Sequence, residues 1–178
     1  MGAPFAVLVS EQLIASGCRK IIGYSSAGAV SLELQPPCLI VPDRAVRDEG
    51  TSYHYLPPEV EVHAEGRLPE ILACRANECG LPVRRGATWT TDAPYRETAS
   101  QIERHRREGV LTVEMEAAAL MALAKVRPCE VASLLHVTNA MATTEGDFHK
   151  GPADIHEKVI ACCLAAFREM LPEHERLS

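Results

Sequence analysis

The sequence predicts an α/β layered fold, and three observations carry that expectation. Helix-like and strand-like runs alternate along the chain, the pattern that packs helices onto a sheet. The 178 residues are 47% hydrophobic and 24% charged, the balance of a single domain, 1–178, with room for a sizeable core. At Gly109–Leu120 (GVLTVEMEAAAL) a short apolar run meets two acids and then an Ala/Leu-rich stretch. Such a strand-to-helix junction is where open α/β sheets usually bind ligands.

Each element has a local reason. Pro4 suits the first turn of a helix that Gly17 closes, with Phe5, Leu8, Val9, Leu13 and Ile14 at helical spacing. Lys20–Tyr24 reads as a strand feeding a Ser25–Gly28 loop, and Cys38–Val41 as a strand fenced by Pro36-Pro37 and Pro42. Leu68–Cys79 is helical up to Gly80, Val83–Trp89 strand-like, and Glu97–Arg107 a charged helix ending at Gly109. Val110, Leu111 and Val113 form a short buried strand, and Glu116–Val126 a helix stopped by Pro128. Val131–Thr138 is a buried strand, and Ile155–Met170 a terminal helix before Pro172. Tyr53, His54 and Tyr55 alternate as a strand edge would, suited to packing or to a subunit contact. Thr143–Pro152 is turn-rich, suited to a mobile flap over a site. There is no linker and no repeat.

Composition excludes several classes. A formal net charge of -6 argues against a nucleic-acid partner, and Arg104–Arg107 (RHRR) reads as a solvated helix face. The seven cysteines form no CxxC pair, and Cys162-Cys163 are adjacent in an apolar helix. Cys18, Cys38, Cys74 and Cys129 fall in or beside apolar stretches, as small buried thiols do, so reduced thiols in a cytoplasmic protein are expected. The histidines lack ligand spacing apart from a weak His149/His156 pair, so no metal is expected. No stretch reads as a membrane span or leader, so no membrane partner is expected.

At the junction, Glu114 and Glu116 are costly to bury without donors. One reading lets a carboxylate accept from two sugar hydroxyls. The other ends the strand in solvent at Glu114 and places Glu116 in the favourable first turn of the helix.

Residues 113–120 (VEMEAAAL) resemble the ribose-binding motif of the nucleoside phosphorylases, the purine nucleoside and uridine phosphorylase family. Trp89–Thr98 (WTTDAPYRET) is similar to the family's base-pocket loop, and Arg47–Tyr55 (RDEGTSYHY) to the loop after its central strands. Ile21–Val30 (IIGYSSAGAV) falls at its phosphate loop, and Leu135–Asn139 (LHVTN) at the strand end carrying a purine-protonating acid in some members. The resemblance implies a three-layer α/β/α fold with a mixed, partly barrel-like central sheet. It implies cleavage of a nucleoside N-glycosidic bond with phosphate, giving ribose 1-phosphate and free base. No cofactor is implied beyond phosphate as co-substrate, and a homo-oligomer, dimer or hexamer, is expected.

The resemblance also assigns roles. Glu114, Met115 and Glu116 bind ribose, with Glu116 on the 2′- and 3′-hydroxyls, Met115 under the sugar and Glu114 assisting. Ser26 and Gly28 contact phosphate. Thr90, Thr91, Tyr95, Arg96 and Asn139 contact the base, and Glu116 and Asn139 are the catalytic pair. Asn139 stands where purine-specific bacterial members carry an acid; its amide donates a hydrogen bond but delivers no proton, which favours a uridine-type or 6-oxopurine nucleoside. Local readings remain beside these: Asn139 capping a turn, Arg96 pairing with Glu97, Ser26 as a loop hydroxyl.

Two departures bear on phosphate. The family's usual N-terminal βαβ unit, which carries a glycine loop and an arginine, does not precede the matching segment here. Gly23 takes the place of the usual loop arginine, and Ser25 that of a glycine. Backbone N–H groups and a hydroxyl still hold anions, without the bidentate pairs a guanidinium gives.

Overall fold

The computed structural model describes residues 2–140 and 153–171. Among these residues six strands, β1 (Lys20–Ala29), β2 (Cys38–Asp48), β3 (Val62–His63), β4 (Val83–Thr91), β5 (Val110–Glu114) and β6 (Glu130–Ala140), lie in the order β3-β2-β4-β5-β1-β6. β2 also pairs antiparallel with β6 through Cys38–Ile40, so β2, β4, β5, β1 and β6 close on themselves as a small barrel. The sheet is mixed: β2–β4, β4–β5 and β1–β6 run parallel, β1–β5 and β2–β3 antiparallel.

Among the described residues five α-helices cover it: α1 (Ala3–Ala15), α2 (Leu68–Glu78), α3 (Ala99–Arg107), α4 (Ala117–Val126) and α5 (Ile155–Glu169). Alternation along the strands decides which layer each side chain joins. Leu39, Val41, Ala132 and Leu134 meet Leu68, Leu72 and Ala76 of α2 and Val159, Cys162 and Ala166 of α5. Their neighbours Ile40, Leu135 and Val137 turn the other way, onto Ala27 and Ala29. On the other flank, Ala3, Val7 and Ile14 of α1 pack on Ala119, Leu120 and Leu123 of α4 over Val131. The layered, partly barrel-like fold expected from the sequence is the one present. Among the described residues no helix is long and apolar enough to cross a membrane.

The elements differ from their local signals in instructive places. β1 continues through the expected Ser25–Gly28 loop because Ser25, Ser26 and Ala27 pair with Leu135, His136 and Val137, and a register shift at Ala27/Gly28 absorbs the irregularity. Long-range pairing overrides the weak strand preference of Ser and Gly. β2 likewise runs past Pro42 by a shift between Pro42 and Arg44. Ser52–His54 is a 3-10 turn rather than a strand edge. Glu49 accepts the N–H groups of Thr51 and Ser52, and Arg47 ties the following segment by donating to the carbonyls of Leu56, Pro57 and Val60. Tyr55 then packs inward, its hydroxyl on Glu11 at 3.0 Å. Cys74 is exposed rather than buried, since α2 turns Leu68, Ile71, Leu72 and Ala76 inward instead. Residues 143–152, the expected flap, lie outside the described residues.

Candidate functional site

A cleft of about 820 Å³ opens between α1, the β5–α4 junction, β1, β6 and the start of α5. Among the described residues, Lys20–Ala27 of β1 pair with β6 alone, and only Gly28 and Ala29 reach β5. The other edge of β1 is therefore open, and side chains from both of its faces reach the cleft around it. Phe5, Val9 and Leu13 of α1 form the apolar wall, and Glu114, Met115 and Glu116 stand at the junction.

The junction explains the two acids differently. Glu114 is fully buried, and its Oε2 accepts the N–H groups of Glu116 and Ala117, each at 2.8 Å. Its Oε1 accepts the Thr90 hydroxyl at 2.5 Å, and Thr90 Oγ1 in turn accepts the Ala118 N–H at 2.9 Å. Glu114 thus receives first-turn donors of α4 that would otherwise be unpaired, with the helix dipole favouring its charge. Burial pushes its carboxyl up to about 7, against the pull of Thr90 and the two backbone donors. This carboxylate has its partners already, so it builds the junction rather than offering itself to a ligand.

Glu116 is the acid left for a ligand. It stands at the N-cap of α4 without a side-chain cap bond, half-buried, and lines the cleft. Its Oε1 accepts the Gly2 N–H at 3.0 Å. Gly2 has φ +83, a left-handed backbone conformation that favours glycine, and it lies beside Met115 Cε. Gly2, Met115 and Glu116 form one surface at the mouth of the cleft.

The rest of the polar wall comes from β1, β6 and α5. Ser26 is exposed on the open strand, and Gly28 is buried opposite Asn139 of β6. Gly23 sits mid-strand, where an added Cβ would lie 3.3 Å from Leu120 Cδ1 and 3.7 Å from Ser133 Oγ. Sequence reasoning missed Tyr24, His136, Thr138 and His156, all of which line the cleft. The signal was the two-residue spacing of His136 and Thr138, which puts both on one face of a strand read only for its end. Among the described residues no His/Cys/Asp/Glu group has the arrangement to hold a metal.

The expected base contacts do not gather here. Thr90 is engaged with Glu114 and Ala118, and the Thr91 hydroxyl accepts the Ala93 N–H at 3.2 Å. Tyr95 is 99% exposed and Arg96 is also on the surface, in a 3-10 turn over Pro94–Arg96. Trp89 is wholly buried, packed on His105 at 4.5 Å with Nε1 donating to Asp48, so it offers no face to a base. Of the residues assigned by resemblance, the structure brings together Glu114, Met115, Glu116 and Ser26.

DeoD-type purine nucleoside phosphorylases of Bacillus cereus, Bacillus thuringiensis and Bacillus mycoides are each 29% identical to the chain over 147 residues, covering 82% of it. The chain spans 63% of the length of these curated relatives. The solved structure of the P. knowlesi homologue of P. falciparum PNP superposes with a TM-score of 0.78 at 21% identity, over 89% of this chain and 65% of that one, a likeness of fold. The family profile described as the phosphorylase superfamily matches residues 1–171, which takes in the β5–α4 junction, the open strand and every wall of the cleft. With that match and the mixed, barrel-closed sheet, the chain belongs to the phosphorylase superfamily.

Proposed function

We propose that this chain cleaves the N-glycosidic bond of a purine nucleoside with phosphate, releasing the base and ribose 1-phosphate. The observation that carries the reading is Glu116: a carboxylate at the mouth of a cleft, half-buried and not engaged in capping its own helix. It accepts from the ribose 2′- and 3′-hydroxyls, while Met115 packs under the sugar. As the bond breaks, the sugar gains oxocarbenium character, and a fixed negative charge nearby lowers that barrier. Ser26 and Gly28 hold phosphate, and phosphate is the sole co-substrate, with no further cofactor.

The names of the relatives favour a purine, and the amide of Asn139, which delivers no proton, favours a 6-oxopurine within that class. Thr90 supports the junction from behind through Glu114 and the Ala118 N–H, while Thr91, Tyr95 and Arg96 stand outside the cleft lining. We place the working protein in the cytoplasm as a homo-oligomer.

One observation favours a second reading. Gly23 and the other described lining residues include no Lys or Arg, so water in place of phosphate would give free ribose. Base release from inosine, followed with and without phosphate, tests both. Phosphate-dependent release and ribose 1-phosphate support phosphorolysis, phosphate-independent release with free ribose supports hydrolysis, and no release contradicts both.

A further inference from the structure

Tyr24 of β1, His136 of β6 and His156 of α5 form a cluster that the proposed chemistry has not used. The Tyr24 hydroxyl lies 3.1 Å from His156 Nδ1 and 3.4 Å from His136 Nδ1. The Tyr24 and His136 rings are nearly parallel at 12°, and His156 stands edge-on to both. Ser26 is the cross-strand neighbour of His136, and Thr138 lies two residues further along the same strand. All five residues line the cleft.

Two polar atoms of this wall want a partner. His136 and Thr138 are only 4% and 5% exposed, and His136 Nε2 and Thr138 Oγ1 have none among the described residues. Buried polar atoms are ordinarily paired, so their being left over points to a ligand. We propose that Tyr24, His136 and His156, with the hydroxyls of Ser26 and Thr138, form an oxyanion subsite that holds inorganic phosphate through imidazole N–H donors. The inference rests on the phosphorolytic reading and deepens it, supplying the positive polarity that Gly23 does not.

The hydrogen-bond arithmetic favours an anion. A phenol has one proton, so Tyr24 donates to one Nδ1 and accepts from the other when that one carries a proton. The imidazole that accepts from Tyr24 must carry its own proton on Nε2. Protonation of the second ring makes Nε2 a donor on both. His156 is the second residue of the 15-residue helix α5, whose N-terminal dipole adds to the attraction.

The charges around the cluster set the pH dependence. α5 brings Asp154, paired with Lys158 at 2.8 Å, the exposed Glu157, and Cys162 and Cys163 near Tyr24; β1 brings Tyr24; β6 brings no carboxylate near His136. Burial, and then repulsion from His156, hold His136 below the ordinary imidazole range. An anion binding there favours the protonated ring, so affinity rises as pH falls.

The test is calorimetric titration of the 178-residue protein with sodium sulfate and with orthophosphate at about pH 6 and about pH 8. Sulfate keeps its charge across this range, so a change in its affinity reports the protein. The expected result is sulfate binding about tenfold tighter at the lower pH, with His136→Gln and His156→Gln each removing most of that difference. Equal affinity at both pH values in the wild type, no sulfate binding at the lower pH, or unchanged binding in a folded His156→Gln protein would overturn the subsite. His156 is exposed, so its variant remains informative if the His136 variant fails to fold. Inosine cleavage separates the two readings: anion binding as expected without cleavage leaves the subsite standing and defeats the glycosidic reading. Phosphate-dependent cleavage whose phosphate KM is unmoved by both substitutions defeats the subsite alone.

Discussion

Thr90 on β4 donates to Glu114 on β5 at 2.5 Å while accepting from Ala118 N–H at 2.9 Å, so one hydroxyl joins two strands to the first turn of α4. Thr90→Val keeps the shape and removes both bonds, leaving a buried carboxylate oxygen and a helix N–H unpaired. The expected loss is about 1–3 kcal/mol in chemical denaturation. An unchanged midpoint would show that the junction does not depend on this hydroxyl.

Glu114 also fixes a pH signature. Its folded carboxyl titrates at about 7, above the usual carboxylate value of 4.5, because burial disfavours the charged form. Between those values the folded state holds a proton that the unfolded state has released. The contribution is therefore fully present below the unfolded value and is lost as pH rises toward the folded one. Glu114→Gln retains an oxygen for the backbone donors and removes the titration. The difference in unfolding free energy between wild type and Glu114→Gln is expected to change steadily from about pH 4.5 to about pH 7 and level off above, to the wild type's disadvantage as pH rises. A difference independent of pH would contradict the assignment.

The exposed apolar residues of α1 carry an expectation about assembly. Phe5 (52%), Leu8 (55%) and Leu13 (45%) are exposed on one helix beside the open edge of β1. A second copy covering such a patch is the commonest solution. Sedimentation at micromolar concentration should show a dimer or larger species, and Leu8→Glu should shift it toward the monomer. A wild-type monomer under those conditions would contradict this.

Much of the fold was legible because the local signals and the tertiary structure agree. The strand from Val110, the Ala-rich helix after Glu116 and the glycine-closed helices α1 and α2 all lie where periodicity and caps put them. Ser25–Gly28 did not, since their strand conformation comes from pairing with β6, a contact more than a hundred residues away. The site was half legible. VEMEAAAL marked the junction, yet only geometry separates Glu114, engaged with Thr90 and the backbone, from Glu116, which faces the cleft. The Tyr24–His136–His156 wall joins three elements, and no spacing along the chain announces it. Tyr95 and Arg96 illustrate the reverse case: a motif fixes their order but not which way a surface turn faces.

The central claim is that Glu116 holds the sugar of a nucleoside whose glycosidic bond this chain breaks. Its most direct test is the rate of hypoxanthine release from inosine, with phosphate present, by wild-type protein and by Glu116→Gln. Glutamine still accepts the Gly2 N–H, so the thermal midpoint should stay unchanged. The account expects phosphate-dependent release by the wild type, and kcat/KM lower by about 10²-fold or more in the variant, the scale of one lost transition-state contact. Wild-type turnover in a folded Glu116→Gln protein would contradict it.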